Sequence, residues 1–210
     1  MSGNGLLVVL SAPSGTGKGT LVKLLREQDE NIRLSVSATT REPRKGEVDG
    51  RDYFFKTVEE FENMIKNNEL IEWVKYCNNY YGTPREFIDR SLSLGHDVLL
   101  EIEVEGAANI KEMFPESVLV FVLPPSFDEL KKRIIERGTE KSEVIQMRLE
   151  QAKKELRYIS RYDYVVINDK IEDAVQDIRS IINAEKLKYK RNRNILAQIG
   201  ICKQEGCIDD

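Results

Sequence analysis

The sequence predicts an α/β protein: a parallel β-sheet flanked by helices, with a small mixed subdomain inserted near its start. Three observations carry this prediction. Near-continuous apolar runs of strand length recur along the chain, as in strands buried on both faces. Helical periodicity separates most of them, and strands alternating with helices imply parallel pairing through right-handed crossovers. Between residues 35 and 81 the alternation gives way to short, β-rich pieces separated by turns.

Leu6 to Leu10 reads as a buried first strand, and Lys18 to about Glu27 as a helix with Leu21, Leu24 and Leu25 turned inward. The pieces "SVSATT", "DYFF" and "IEWVKY" form the insertion. Capping-box spacings mark helix starts at Thr57 with Glu60, at Thr83 with Glu86 (Pro84 taking the first helical position), and at Ser126 with Glu129. Asp97 to Ile102, Val118 to Leu123 and Tyr164 to Ile167 read as further core strands. Helical patterns cover Glu105 to Met113, Ser126 to Arg137, Ser142 to Ile159 and Glu172 to about Lys190. The expected organisation is one unit over residues 5–190. Its core takes about 5–34, 96–125 and 160–190, an inserted subdomain about 35–95, and a helical lid about 126–159. Residues 191–210 form a polar tail, of which about the last dozen are expected to be disordered or loosely docked.

Composition narrows the class. Charged residues make up 32% and hydrophobics 40% of 210, an ordinary globular balance sufficient for one sizeable core. No stretch approaches the roughly 18–20 apolar residues of a membrane span. The start, "MSGNGLLVVLS", lacks a basic leader, and its apolar run is short for a signal peptide. A net charge of −4 gives no bulk attraction to nucleic acid. The basic run Lys186 to Arg193 reads as a solvated helix end favoured by the dipole. Three cysteines, Cys77, Cys202 and Cys207, are sparse and odd in number, which suggests a reducing, cytoplasmic setting. The spacing in "CKQEGC" has no second Cys/His pair to complete a metal site. His96 is the only histidine, set at a helix-to-strand turn, and reads as structural.

"SAPSGTGKGT", residues 11–20, joins the first strand to the first helix, the context of a P-loop. The pattern G-x-x-x-x-G-K-[ST] is met with Ala12 in place of the first glycine and Gly19 in place of the hydroxyl residue. Gly15 and Gly17 allow backbone N–H groups to turn inward onto phosphate oxygens. The helix N-terminus adds its positive dipole end, and Lys18 a point charge for the β- and γ-phosphates. The expected ATP cradle is Ala12, Pro13, Ser14, Gly15, Thr16, Gly17, Lys18, Gly19 and Thr20. Gly19 has no hydroxyl to ligate Mg²⁺ directly, so a water-mediated contact falls to Thr20. A second concentration of chemistry is "SVSATTREPRKGEVDGRDYFF", where Arg41, Arg44 and Tyr53 could converge on a phosphate monoester. By themselves they also fit a surface charge cluster.

"SAPSGTGKGT", "SVSATTREPRKGEVDGRDYFF", "LIEWVKYCNNYYGTP", "LLEIEVEGA" and "ERGTEKSEVIQMRL" stand in an order and spacing that resemble the guanylate kinase family over about residues 5–188. The element TTR-x-PR-x-GE-x-x-G-x-DY is more specific than the P-loop, whose two variants also resemble forms seen in that family. The resemblance implies an ATP:GMP phosphotransferase acting on GMP and dGMP with Mg²⁺. It implies Ser37 and Thr83 toward guanine O6, and Glu72 toward N1–H and the exocyclic amine. A carboxylate only accepts, and guanine offers two adjacent donors there. It further implies Arg41, Arg44, Tyr53 and Tyr81 on the GMP phosphate. Glu101 would contact guanine and Glu103 would organise the metal's waters, although aspartates are frequent at both positions in the family. Arg133, Arg137 and Arg148 would close over the ATP phosphates, and Asn168 would lie near the adenine. Arg133 and Arg137, four apart, share a helix face, which a solvated amphipathic helix would equally show. Two other readings stand at this level. One is another nucleoside monophosphate kinase, lacking the Glu72 reader, and the other is a non-catalytic guanylate-kinase-like module that docks phosphopeptides.

Overall fold

All five residues of β1 (Leu7–Ser11) are buried, because β1 is the middle strand of a five-stranded parallel sheet. The computed structural model describes residues 5–44, 46–76, 78–102, 104–136, 142–193, 195 and 199–200. The expectations placed on Cys77, Glu103, Arg137, Cys202 and Cys207 lie outside the described residues. The sheet order is β2 (Ile32–Leu34), β7 (Asp97–Glu101), β1, β8 (Val118–Leu123) and β9 (Tyr164–Ile167), every neighbouring pair parallel.

Alternation along β1 divides its side chains between two layers. Val8 and Leu10 pack with Leu21 and Leu25 of α1 (Lys18–Gln28) and with Ile178 of α7 (Ile171–Lys186). Leu7 and Val9 face the other way, toward Ile88 of α3 (Arg85–Ser93) and Ile110 of α4 (Val104–Met113). Helices on both faces explain why the strands read as continuous apolar runs rather than as alternating ones. A third cluster joins Leu130 and Ile134 of α5 (Phe127–Glu136) to Leu149 and Ala152 of α6 (Ser142–Leu156).

The insertion forms a second sheet of four strands in the order β4 (Phe54–Phe55), β3 (Ala38–Thr39), β6 (Asn79–Pro84) and β5 (Leu70–Tyr76). The β3–β4 pair is parallel, while β3–β6 and β5–β6 are antiparallel. Phe61 of α2 (Val58–Lys66) is fully buried under this sheet and stacks on Tyr80 at 5.2 Å. The capping box at Thr57 and Glu60 forms in both directions. At Ser126 only the forward half forms, its hydroxyl accepting from Glu129 N at 3.1 Å, because the Glu129 carboxylate turns to Arg133 instead.

One strand was not foreseen, and one expectation needs correction. The edge strand β2 escapes the sequence pattern because it is three residues long with exposed Arg33 in its middle. Thr83 caps no helix. It is an internal residue of β6 whose hydroxyl is committed across the strand pair, and α3 begins at Arg85 behind Pro84. The basic run after α7 is largely exposed, as expected, and is ion-paired as well. Lys186 pairs with Asp97, Lys188 lies 2.5 Å from Glu185, Lys190 lies 2.9 Å from Glu116, and Arg191 donates to the Glu116 carbonyl at 2.6 Å.

Asp97 is fully buried at the start of β7, where Oδ1 accepts from Leu6 N at 3.0 Å. Its salt-bridge partner Lys186 is 41% exposed and can return to water, whereas the Leu6 N–H cannot. Asp97→Ala is therefore expected to destabilise the fold by about 1–3 kcal/mol, read as a lowered urea midpoint. His96, beside it, places Nδ1 2.9 Å from Asn31 Oδ1, at the end of β7 opposite the β1–α1 turn. No helix among the described residues is long and apolar enough to cross a membrane.

Candidate active site

The turn between β1 and α1 is shaped by two glycines in left-handed backbone, Gly15 (φ 93°) and Gly17 (φ 88°). Crowding reinforces the choice. A Cβ on Gly15 would sit 2.8 Å from Cγ1 of Ile134, and one on Gly17 would sit 2.8 Å from Nδ2 of Asn168. Ala12, where a glycine was expected, is buried and keeps a negative φ, so its methyl adds no strain. Gly17 caps α1 without a side-chain bond, leaving the N–H groups of the first turn directed at the loop. A Cβ on Gly19 would meet nothing within 4 Å, so packing would admit a serine or threonine there and does not require the glycine.

Thr16 is buried and its hydroxyl donates to the Pro13 carbonyl at 2.9 Å, closing the turn on itself. Asn168 follows β9 and is 4% exposed. Its amide donates to the Thr16 carbonyl at 2.7 Å, so the side chain expected near an adenine is engaged in bracing the loop. Arg133 of α5 donates Nη1 to the Asn168 carbonyl at 2.9 Å and Nε to Glu129 Oε1 at 2.9 Å. One lid arginine is thus already docked on the loop's brace. A cavity of about 410 Å³ opens here, lined by Gly15, Gly17, Thr20, Arg133, Asn168 and Asp169 among others. Thr20 is exposed at its rim, Ser14 is exposed on the turn, and Arg148 is half-buried on α6. Lys18 reaches across to the end of β7. Its Nζ donates to the Ile102 carbonyl at 3.3 Å and lies 3.8 Å from Glu101 Oε1.

The acceptor residues are gathered by strand register. Thr83 pairs with Glu72 across β5–β6. Continuing the Ala38–Gly82 and Ala38–Phe54 pairings by one residue sets Ser37 opposite Thr83 and beside Tyr53. Residues directly opposite across a sheet point to one face. Tyr53, Ser37, Thr83 and Glu72 therefore form a row across all four strands, and Tyr81 lies two residues from Thr83 on the same face. The Thr83 hydroxyl donates to Glu72 Oε1 at 2.6 Å. Burial pushes the Glu72 carboxyl above the ordinary glutamate range, and the bond from Thr83 opposes that rise.

Arg41 lies over the ring of Tyr53 at 5.3 Å and that of Phe55 at 5.9 Å. Tyr53 in turn meets Tyr81 edge-on with centroids 6.3 Å apart. Burial raises the Tyr53 phenol above its usual value, the Arg41 charge pulls it down, and Glu101 adds to the rise. Glu101 thus stands within electrostatic reach of both the acceptor cluster and Lys18. Arg44 projects from the exposed turn beyond Arg41.

The sequence reading overlooked Glu47. It accepts from Arg41 Nη2 at 2.9 and 3.0 Å and from the Arg44 backbone N–H at 2.7 Å. The available signal was a carboxylate within an arginine-rich turn, six residues after one arginine and three after the other.

A family model described as guanylate kinase matches residues 4–185. The chain is 53% identical over 195 residues to a guanylate kinase of Caldanaerobacter subterraneus subsp. tengcongensis, covering 93% of this chain and 95% of that one. It is 54% identical over 188 residues to a guanylate kinase of Desulfitobacterium hafniense, covering 90% and 94%. A crystal structure of guanylate kinase from Anaplasma phagocytophilum superposes with a TM-score of 0.74 at 36% identity, covering 97% of this chain and 99% of the other.

Proposed function

The chain belongs to the guanylate kinase family of phosphotransferases, and from that premise we propose that it transfers the γ-phosphoryl group of ATP to the phosphate of GMP, and of dGMP. The observation that carries the choice of acceptor is the half-buried Glu72 carboxylate bonded to Thr83 in a row with Ser37. Guanine presents N1–H and an amine to such an acceptor, whereas adenine presents a lone pair at N1 and would leave the carboxylate facing another acceptor.

ATP lies in the Ala12–Thr20 cradle, its phosphates on the N-terminus of α1 with Lys18 as point charge. GMP lies on the row of the inserted sheet, its phosphate toward Arg41, Arg44, Tyr53 and Tyr81. Mg²⁺ bound with ATP supplies charge neutralisation, and Thr20 and Glu103 are the residues proposed to meet it, through water. The attacking oxygen belongs to a phosphate already anionic near neutral pH, so the chain needs no general base. That agrees with the only histidine being engaged with Asn31. The chain's own work is to orient two anions in line, spread their charge over Lys18 and the arginines 133, 137 and 148, and exclude water on closure.

An ADP-release assay with GMP, dGMP, AMP and UMP tests this directly. Turnover with the two guanine nucleotides should exceed that with AMP and UMP by ~10⁴ or more. Absence of turnover with GMP overturns the function, and comparable turnover with AMP overturns the role given to Glu72.

A further inference from the structure

We propose that Glu47 is the positioning residue of the acceptor-phosphate clamp, holding Arg41 and the Arg44 turn in phosphate-ready geometry before any ligand arrives. The proposal rests on the GMP reading above and adds a residue to it. Both carboxylate oxygens of Glu47 take bonds from Nη2 of Arg41, at 2.9 and 3.0 Å, and one also takes the Arg44 N–H at 2.7 Å. The opposite end of the same guanidinium donates Nη1 to the Glu42 carbonyl at 2.7 Å, and its plane is held against Tyr53 and Phe55. An arginine otherwise free to sample many rotamers is therefore fixed at three points.

The partners are shielded, with side chains 15% and 21% exposed, unlike the two-thirds-exposed Arg51 in its pair with Asp52. Arg41 and Glu47 also hold each other in the charged form, the bond between them raising the guanidinium and lowering the carboxyl. Two opposed consequences follow for an incoming phosphate. The Glu47 charge repels it, while the fixed Arg41 spares it the entropy of ordering a long side chain. Glu47 engages Nη2 and the Glu42 carbonyl takes one bond from Nη1, which leaves Nε–H and the second N–H of Nη1 for the ligand. Preorganisation therefore outweighs the added negative charge.

The experiment compares wild type with Glu47→Ala, Glu47→Asp and Arg41→Ala/Glu47→Ala. It measures steady-state kinetics for GMP and calorimetric binding of GMP and guanosine. Glu47→Ala should raise KM and Kd for GMP by about 10–100-fold while kcat at saturating GMP stays within about three-fold. Guanosine carries no phosphate, so its affinity should be unchanged. Glu47→Asp, one methylene short of spanning both arginines, should fall between wild type and alanine. Added to Arg41→Ala, the second substitution should cost clearly less than it does alone, since the part acting through Arg41 is already lost and only the Arg44 turn remains to be released. Unchanged GMP affinity in Glu47→Ala overturns the proposal, as does an equal loss for guanosine or full additivity in the double variant. If wild type neither binds nor phosphorylates GMP, the functional reading fails instead, and that outcome is separate from any behaviour of the variants.

Discussion

Lys18→Ala is expected to lower kcat by at least about 10²–10³-fold while leaving the dissociation constant for GMP within about two-fold. Lys18 is the cation that α1 carries at the cradle, and its Nζ already spans to the end of β7, at Ile102 and Glu101. In the proposed reaction it meets negative charge that grows on the transferring group, so its loss falls on the transition state more than on the ground state. The acceptor row lies on the inserted sheet and makes no use of it. Thermal stability should barely move, because Glu101, 35% exposed, returns to water when its partner is removed. Rapid-quench kinetics and calorimetry with GMP read the two quantities independently. A parallel collapse of GMP affinity would show that donor and acceptor sites had been drawn in the wrong places.

Glu72→Gln should lose about 10²–10⁴-fold in kcat/KM for GMP and, at the same time, stabilise the protein. The amide turns one acceptor into a donor facing the donors of guanine. The stability change has a definite sign. Burial raises the Glu72 carboxyl above its unfolded value, so its contribution to folding is full below the unfolded pKa and is lost as pH rises through the folded one. Near neutrality the ionised group is a cost that Thr83 offsets only in part, and glutamine removes it. A melting temperature that falls in Glu72→Gln would contradict this assignment. The same shift makes guanine binding pH-dependent. Guanosine affinity should weaken on acidification from a higher pH than an ordinary glutamate would give, and in Glu72→Gln that dependence should vanish. Guanosine is the right probe because the GMP phosphate itself titrates near pH 6.

The long core strands were legible because burial on both faces leaves a run of apolar residues with no polar alternation, as in "VLVFVL". Strand β2 was not, since three residues on a sheet edge need satisfy only one neighbour and can carry Arg33 outward. Thr83 misled for a related reason. Its spacing to Glu86 matches a helix cap, yet the hydroxyl bonds to Glu72, a residue eleven positions away that local pattern cannot weigh. The turn after β1 was readable from Gly15 and Gly17 because left-handed backbone selects glycine locally. The ties that hold it are not local: Asn168 on Thr16 spans 152 positions.

By itself, then, the sequence determined the layered α/β core, the glycine turn with its lysine, and the family resemblance over about residues 5–188. Those features depend on periodicity, on φ and on side-chain type, which are properties of short stretches. Only the tertiary structure decided that Tyr53, Ser37, Thr83 and Glu72 stand in one row, that Asn168 braces the loop, and that Glu47 holds both arginines. Strand register and side-chain pairing are set by which surfaces meet when the chain packs: Asn168 and Thr16 share no stretch of sequence, and Arg41 and Glu47, six apart in one turn, are paired only once that turn has folded.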